Sequence, residues 1–466
     1  MKKRLIHLLS GLLILIISYI NCIPAYADYL EDMEERKSWP VQSNQIENWP
    51  EGPAIGSASA ILMDADTGII LYEKNIHDKM YPASTTKLMT CLLALEKEGA
   101  SLSDMVDFSV EAVYSVSWDS SNMGMDAGES MTLEDCLYGI LVLSANEVSN
   151  AVAEYVSGDI SSFVDLMNER AKELGCVDTH FNNAHGYTDE DHYTSAYDLA
   201  LMGREFFKNE LLAKMSRTRI YHWYPTDTQP DDIYLASKNY FLNGGYNCEG
   251  LVGSKTGFTD ESRQVLVSCA ERNGMRLICV VMEQETPYQY EDTLALFNYG
   301  FNNFSKVKVA DYETKYDLKD EQFFKTDYDV FGDSSSFLSL DPTSEIIMPK
   351  NCNFSDLTSE LSYRDDDENV LADINYSYNG KYLGSGSLIV DRHDETSFVF
   401  TDENAFMVIE EEKPIFIYIN TIVKVIAIIA GVLVIILIIK RIVNSFHFAR
   451  RRKYILRESR KRRKFK

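Results

Sequence analysis

Residues 81–90, YPASTTKLMT, decide the fold assignment because they place a candidate nucleophile and a candidate base at the start of one helix. Ser84 follows Pro82-Ala83, and Lys87 lies one turn later on the same helical face. A serine hydroxyl is a weak nucleophile until a base takes its proton, and a partly desolvated lysine can do so. Taken alone, a Ser-x-x-Lys match more often marks an ordinary helix cap with a solvated lysine.

Two further short motifs occur downstream in the same predicted domain. Ser144-Ala145-Asn146 falls between two predicted helices, where a loop can direct a hydroxyl and an amide into a cleft. Lys255-Thr256-Gly257 precedes a predicted strand pair, where the lysine and threonine can bind a carboxylate and the glycine lets a substrate approach the backbone. Each of these triplets alone would be a chance match.

In the order Ser-x-x-Lys, Ser-x-Asn, Lys-Thr-Gly, the three motifs are the signature of penicillin-recognising serine acyl-transferases. The chain resembles the serine-type D-alanyl-D-alanine carboxypeptidase family, the low-molecular-mass penicillin-binding proteins, over about residues 55–300. The resembling stretches are YPASTTKLMT (81–90), LSAN (143–146), MNERA (167–171), HG (185–186) and SAYDLA (195–200).

The resemblance implies roles for four side chains in catalysis. Ser84 is expected to be the acylated nucleophile and Lys87 the base that activates it. Ser144 is expected to relay a proton toward the leaving D-alanine, and Asn146 to bind the substrate backbone.

The resemblance also implies how the substrate's carboxylate and carbonyl are held. Lys255 and Thr256 are expected to bind the terminal carboxylate, with Gly257 leaving room beside them. The backbone N–H groups of Ser84 and Phe258 would form the oxyanion hole, since N–H groups at a helix end can stabilise a developing negative charge.

The order of predicted elements indicates an α+β fold, in which both ends of the catalytic domain meet in one antiparallel sheet beside a helical block. Two strands flank the turn DADTG at residues 64–68, and an Asn273-Gly274 turn joins two later strands. A Ser195-x-x-Asp198 capping box is expected to start one helix. The predicted strands are residues 58–63, 69–72, 265–269 and 277–281, and the predicted helices are 85–96, 133–143, 147–156, 163–174, 196–207 and 294–299.

The chain is divided into six expected segments. The catalytic domain resembles the penicillin-recognising serine transpeptidase and β-lactamase fold. A small all-β domain, with strands such as 306–310 and 387–390 and turns at Asn379-Gly380 and Gly332-Asp333, separates it from a transmembrane helix. The segments are a signal peptide (1–27), an extended lead-in (28–56), the catalytic domain (57–303), a β-rich module (304–403), a transmembrane helix (415–439) and a basic cytoplasmic tail (440–466).

Both chain ends predict export and membrane anchoring. Basic residues, an apolar run and a small-x-small pattern at Ala25-Tyr26-Ala27 indicate a secretory signal. Residues 415–439 are long and apolar enough to span a bilayer, and the following tail holds 13 Lys or Arg and one acid. We therefore expect a single-pass protein of a bacterial cell membrane, with its catalytic domain outside and its tail in the cytoplasm.

Charge and metal-binding residue types limit the partners. The exported part carries 29 basic against 70 acidic residues, which disfavours nucleic acid. The seven cysteines after the signal are scattered and show no metal-binding spacing. His180, His185 and His192 are close in sequence but do not fit a zinc motif, so neither a metal nor a cofactor is expected.

One departure from the family pattern follows the Lys-Thr-Gly motif. The family usually has a small residue, glycine and an aromatic residue where this chain has Ser262-Arg263-Gln264. Arg263 either lies at the cleft rim and changes substrate preference or pairs with an acid, and pairing is the favoured interpretation.

The expected function is removal of the terminal D-alanine from peptidoglycan stem peptides ending in D-Ala-D-Ala, with β-lactam antibiotics as acylating inhibitors. A class A-like β-lactamase is a competing hypothesis, but it would need a Glu in a loop after Ser-x-Asn, whereas Asp165 and Glu169 fall inside a predicted helix. A DD-endopeptidase that uses the same site and a catalytically silent wall-binding protein are also compatible with the sequence.

Overall fold

The computed structural model describes residues 29–225, 232–316, 338–364, 366–367 and 369–390. By its internal contacts the chain divides into two units, Met1–Asp394 and Glu395–Lys466. Everything described below belongs to the first unit.

A five-stranded antiparallel sheet forms the centre of the fold, in the order β2-β1-β9-β8-β7. Strands from the two ends of the catalytic region therefore lie side by side, which confirms the predicted α+β class. The strands are β1 (Ser59–Asp64), β2 (Ile70–Lys74), β3 (Met105–Asp107), β4 (Ser130–Thr132), β5 (Ile220–Trp223), β6 (Ile233–Ala236), β7 (Leu251–Thr259), β8 (Arg263–Arg272), β9 (Met275–Gln284), β10 (Phe304–Lys308), β11 (Leu338–Leu340), β12 (Glu345–Pro349), β13 (Thr358–Tyr363), β14 (Val370–Tyr378) and β15 (Lys381–Val390).

Both predicted hairpins are present. In the first, the Asp64 carboxylate accepts hydrogen bonds from the backbone N–H (2.8 Å) and hydroxyl (2.7 Å) of Thr67, which close the turn between β1 and β2. In the second, Asn273 and Gly274 have φ of 52° and 78° between β8 and β9. Positive φ at both central residues is what a type I′ hairpin turn requires.

The sheet is buried on both faces because alternate residues of its strands enter different cores. Ile278 and Val280 of β9 pack with the helical block, whereas Leu277, Cys279 and Val281 pack with α10 and the N-terminal segment. The helices are α1 (29–36), α2 (Lys87–Glu96), α3 (Val110–Tyr114), α4 (Leu133–Tyr138), α5 (Asn146–Ser157), α6 (Ile160–Glu173), α7 (Ala196–Lys208), α8 (Glu210–Ser216), α9 (Tyr240–Asn243) and α10 (Tyr288–Asn303).

The capping box predicted at the start of α7 forms only in half. Ser195 Oγ accepts a hydrogen bond from the Asp198 N–H at 3.2 Å, as expected. The Asp198 carboxylate does not return to Ser195 but accepts from Asp178 N (2.7 Å) and Thr179 Oγ1 (2.7 Å). A buried carboxylate therefore fixes the preceding loop instead of its own helix end.

The segment expected to be an extended lead-in is instead folded onto the sheet. It contains α1 and a 3₁₀ turn at Gln42–Gln45, and Trp49 is buried with its indole N–H donating to Leu71 O at 3.0 Å. Two buried aromatic and aliphatic side chains, Trp49 and Ile55, belong to the core on the α10 face. Burial of these side chains outweighs the polar character that suggested a solvated lead-in.

The β module continues directly from α10. β10 pairs with β12, and β11-β15-β14-β13 form a second antiparallel sheet with the predicted turn at Asn379-Gly380. The strand expected at residues 306–310 ends earlier, at Lys308, where a 3₁₀ turn begins at Val309. The other predicted turn, at Gly332-Asp333, lies outside the described residues.

Among the described residues, no helix is both long and apolar enough to cross a bilayer. The predicted signal peptide, transmembrane helix and basic tail all lie outside them.

Candidate active site

Ser84 lies in a tight turn directly before α2. The turn is a 3₁₀ helix over Ala83–Thr86, so Ser84 precedes the α-helix instead of starting it, while Lys87 is the first residue of α2. The hydroxyls of Thr85 and Thr86 donate to Pro82 O (2.7 Å) and Ala83 O (2.9 Å). The turn is thereby held by its own side chains and presents Ser84 at the protein surface.

Lys87 is fully buried behind Ser84. Its Nζ lies 3.1 Å from Ser84 Oγ and 2.7 Å from Asn146 Oδ1, and it also donates to His185 O. Desolvation, reinforced by the positive charge of Lys255, holds the pKa of Lys87 well below its usual range. Because Lys87 is in contact with the hydroxyl and its pKa is lowered, it is suited to accept the serine proton.

The Ser144-Ala145-Asn146 motif lies where one helical segment ends and α5 begins. A π-helical turn, Gly139–Leu143, ends at Ser144, whose φ of 66° lies in the left-handed region. Ser144 Oγ accepts a hydrogen bond from Lys255 Nζ at 3.0 Å. Asn146 starts α5, and its backbone N–H donates to Ser121 O at 2.8 Å.

The Lys-Thr-Gly motif lies on β7, the edge strand of the main sheet. Lys255 is buried, donates to Ser144 Oγ and to Thr256 O (2.8 Å), and burial lowers its pKa to about 8. A Cβ atom at Gly257 would lie 3.0 Å from both Pro82 O and Ser84 N. This close approach explains the glycine and places Phe258 beside the Ser84 turn.

Two cavities meet at Ser84 and Phe258. One, of about 390 Å³, is lined by Ser144, Lys255, Thr256 and Gly257 together with an aromatic and amide wall. The other, of about 480 Å³, is lined by Asn146 and by residues 119–121, 185–188 and 258–261. The structure therefore brings all the predicted site residues together, with Lys87 buried beneath them.

The three histidines considered for zinc make their contacts with other groups of the protein. His192 Nε2 lies 2.8 Å from Thr86 Oγ1, and its Nδ1 accepts from Asn182 N at 2.9 Å. Burial lowers the pKa of both His185 and His192 to about 3, and Lys87 adds to the effect at His185. Within the described ranges, no cluster of three His, Cys, Asp or Glu side chains could hold a metal ion.

Sequence reasoning missed two supports of the site. A Cβ at Gly186, where φ is 87°, would lie 1.8 Å from Ala83 O, so only glycine fits against the Ser84 turn. Glu147, next to Asn146, is buried and accepts from Gly124 N at 3.2 Å and from Met123 N, which holds the loop leading to Ser121. No local pattern distinguishes Glu147 from any acid in a first helical turn.

Two other predictions concern acidic residues: the ion-pair partner of Arg263, and the positions of Asp165 and Glu169. Arg263 forms the predicted ion pair, with Glu285 as its partner at 2.7 Å. Asp165 and Glu169 lie within α6 as predicted and are exposed, and neither lines the two cavities. The structure therefore offers no counterpart of a class A deacylating glutamate at these positions.

The comparisons with known proteins agree with this geometry. A family model described as D-alanyl-D-alanine carboxypeptidase matches residues 46–286. The chain is 40% identical over 232 residues to D-alanyl-D-alanine carboxypeptidase DacF of Bacillus subtilis, a match that spans 49% of this chain and 58% of that one. It is 30% identical to D-alanyl-D-alanine carboxypeptidase DacA of Haemophilus influenzae over 61% of this chain and 71% of that one.

Solved structures show the same fold. Penicillin-binding protein 5 from Haemophilus influenzae superposes with a TM-score of 0.59 at 27% identity, covering 73% of this chain and 98% of that one. Penicillin-binding protein 6B from Escherichia coli gives 0.56 at 25% identity, covering 74% and 99%. The fold is therefore that of the penicillin-binding DD-peptidases, and the chain belongs to the D-alanyl-D-alanine carboxypeptidase family.

Proposed function

We propose that this chain is a serine-type D-alanyl-D-alanine carboxypeptidase that removes the terminal D-alanine from peptidoglycan stem peptides through an acyl-enzyme on Ser84. The observation that carries the proposal is the 3.1 Å contact between Ser84 Oγ and Lys87 Nζ. Lys87 is buried and forms no ion pair with a carboxylate in the described part of the chain. A buried lysine that contacts a serine hydroxyl can act as the general base that activates this hydroxyl.

Acylation begins when Ser84 Oγ attacks the carbonyl carbon of the penultimate D-alanine and Lys87 takes the hydroxyl proton. The carbonyl oxygen gains negative charge, which we expect the N–H groups of Ser84 and Phe258 to stabilise. The amide C–N bond then breaks. The proton held by Lys87 returns to the leaving amine, with Ser144 as the relay, and free D-alanine departs.

Deacylation repeats the sequence with water as the nucleophile. Lys87 takes a proton from the attacking water, the ester bond to Ser84 breaks, and the proton returns to Ser84 Oγ. The products are the shortened stem peptide and the original enzyme. Every proton transfer uses groups already present in the site.

Substrate recognition at the leaving end depends on Lys255. Because its pKa is lowered only to about 8, Lys255 remains largely protonated at neutral pH and can bind the terminal carboxylate together with the Thr256 hydroxyl. The Lys255 charge also disfavours protonation of Lys87. One lysine thus binds the substrate, while its charge adds to the desolvation that lowers the pKa of the other.

The first test is the intact mass of the full-length chain over time after exposure to benzylpenicillin, for the native sequence and for Ser84→Ala. We expect a long-lived adduct on the native chain, none on the variant, and release of D-alanine from a pentapeptide by the native chain only. Rapid drug turnover without a persistent adduct would support a β-lactamase instead. Folded native chain that forms no adduct and releases no D-alanine would support a silent wall-binding protein.

DD-endopeptidase activity on the same site is tested with a cross-linked dimer of stem peptides. Cleavage of the dimer at a rate comparable with D-alanine release from the pentapeptide would show that the cavity beside Lys255 accepts a large leaving group. We expect the pentapeptide to be preferred, because a free terminal carboxylate can reach both Lys255 and Thr256.

We also propose that the protein is exported and anchored in a bacterial cell membrane by residues 415–439, with the basic tail in the cytoplasm. The support is the basic and apolar start of the chain and the 13 basic residues that follow the apolar segment. In intact spheroplasts, external protease should degrade the catalytic unit and spare an epitope tag placed after Lys466. Loss of the tag under the same conditions would refute this topology.

A further inference from the structure

Arg263 occupies a backbone position that favours glycine. It begins β8 with a φ of 49°, in the left-handed region that residues with a Cβ rarely adopt. An arginine in this conformation persists only when its surroundings hold it, so its contacts indicate what it does.

One carboxylate holds the Arg263 guanidinium through two hydrogen bonds. Nε donates to Glu285 Oε1 at 2.7 Å and Nη2 donates to Glu285 Oε2 at 2.8 Å, a paired arrangement that fixes the plane of the guanidinium. The two side chains are only 18% and 10% exposed. The cation is therefore a fixed structural element, not a free charge for a substrate.

The same guanidinium lies close to two aromatic rings. Its central carbon is 4.1 Å from the centre of the Tyr29 ring and 5.4 Å from that of Phe258. Tyr29 belongs to α1, and Phe258 is one of the residues that line both cavities at Ser84. Arg263 thus connects the N-terminal helix to the cleft.

The other end of α1 is held independently. Arg36 Nη1 donates to Glu283 O at 2.6 Å, and Arg36 also pairs with the Glu283 carboxylate. The buried Lys74 Nζ donates to Arg36 O at 2.7 Å. These contacts fix the end of α1 that lies farther from Arg263.

We propose that Tyr29, Arg263 and Glu285 form a clamp in which Arg263 is a positioning residue for Phe258. The clamp fixes the turn from β7 to β8 and thereby the Phe258 N–H, the second donor of the oxyanion hole. The inference rests on the proposed function only for its effect on catalysis, since the immobilisation of Phe258 can be measured separately. It gives α1 a supporting role behind the residues that line the cleft.

The test compares Arg263→Gly, Tyr29→Leu and Tyr29→Phe with the native full-length chain. Arg263→Gly removes the clamp and also relieves the backbone strain, so the thermal midpoint should change little. Acylation by benzylpenicillin should slow by about tenfold in Arg263→Gly and Tyr29→Leu, since small displacements of an oxyanion donor are costly. Tyr29→Phe keeps the aromatic ring and should therefore acylate at the native rate.

Two further readouts separate positioning from general damage. The pH at which acylation is half-maximal should not move, because Lys87 is untouched. Hydrogen–deuterium exchange of residues 256–262 should accelerate in Arg263→Gly and Tyr29→Leu, while exchange in α2 stays native. Native exchange in that turn would overturn the clamp, and so would a native acylation rate in both variants. If the native chain itself formed no adduct, the exchange result alone would still decide the clamp while the proposed function failed.

Discussion

Lys87 and Lys74 are both fully buried, but they have different roles. Lys87 lies in the cleft, and Lys74 lies beneath the N-terminal segment. Lys74 Nζ donates to Arg36 O (2.7 Å) and Ile55 O (2.8 Å), and burial lowers its pKa to about 8. Lys87 is also desolvated, but it touches the Ser84 hydroxyl and lies near a second lysine. A lowered lysine pKa therefore marks a base only where a nucleophile is within reach.

Lys74 forms no ion pair with a carboxylate among the described residues, even though an acid precedes it in the chain. Glu73 and Lys74 are consecutive residues of β2, so their side chains point to opposite faces of the sheet. Glu73 pairs instead with Lys381 of the β module at 3.0 Å. Lys74 is left to bind carbonyl groups, and its role is to fasten the N-terminal segment.

The largest expected contrast comes from replacing each lysine by methionine. Lys87→Met should slow acylation by benzylpenicillin by about 10³-fold or more, because it removes the general base. Lys74→Met should leave the acylation rate within about twofold of native, since it touches no reacting group. Stopped-flow or gel-based acylation rates check both. Similar losses in the two variants would show that burial alone, not contact with Ser84, explains the effect.

The next contrast uses two glycines with the same φ of 87°. Gly186→Ala places a Cβ 1.8 Å from Ala83 O and should slow acylation by about 100-fold, because the Ser84 turn must shift. Gly175→Ala has the same strain but meets only Leu201 Cδ1 at 3.8 Å, and it should lower stability by about 1 kcal/mol without changing acylation. Equal acylation rates in the two variants would contradict the proposed tight fit behind Ser84.

The pH dependence of substrate binding separates Lys255 from Lys74, both of which have a pKa of about 8. As the pH rises through 8, Lys255 loses the charge that binds the terminal carboxylate, so KM for a D-Ala-D-Ala peptide should rise by up to about tenfold per pH unit. Lys74→Met should show the same rise. A KM that stays flat to about pH 9.5 would remove Lys255 from carboxylate recognition.

Lys74 should make a contribution to the free energy of unfolding that increases with pH, whereas substrate binding through Lys255 weakens with pH. The pKa of Lys74 is lowered in the folded state, so between about pH 8 and 10.5 the unfolded chain binds more protons and stability rises with pH. Lys74→Met should remove that increment. Denaturant unfolding of both chains at about pH 7.5 and about pH 10 measures it, with the difference between chains cancelling other groups that titrate there. Parallel pH dependences would place the Lys74 pKa near its ordinary value.

The smallest effect is expected for Lys381, which is partly exposed to solvent and pairs with a carboxylate. Lys381→Ala breaks the pair with Glu73, whose side chains are 19% and 21% exposed, and should lower the free energy of unfolding by about 0.5 kcal/mol. Acylation should be native. A loss as large as that of a buried polar contact, about 2 kcal/mol, would mean that this pair fastens the β module to the sheet.

Local sequence signals predict much of the fold. The Asp64–Thr67 turn and the Asn273-Gly274 turn are predictable because short side chains and positive φ preferences act within a few residues. The helices from Asn146 to Lys208 follow from apolar spacing and caps in the same way. The folded N-terminal segment is not predictable from local pattern, since the burial of Trp49 depends on a core assembled from distant strands.

The three motifs identify the residues of the site, but they do not identify the residues that hold those side chains in place. Ser84, Ser144 and Lys255 converge because β7 is the sheet edge beside the α2 turn, a consequence of strand order. Glu147, His192 and Gly186 act through contacts with loops that are far away in sequence. An acid, a histidine or a glycine carries no local mark of such a contact.

The sequence by itself determined the family and identified the candidate nucleophile and the paired lysines, because these depend on residue identity and short spacing. Only the tertiary structure decided that Lys87 is desolvated while touching Ser84, that Arg263 lies close to Tyr29 and Phe258, and that Lys74 binds carbonyl groups. Burial and distance depend on how remote segments pack. These two quantities set the pKa of a lysine and the position of a donor, and with them the chemistry of the site.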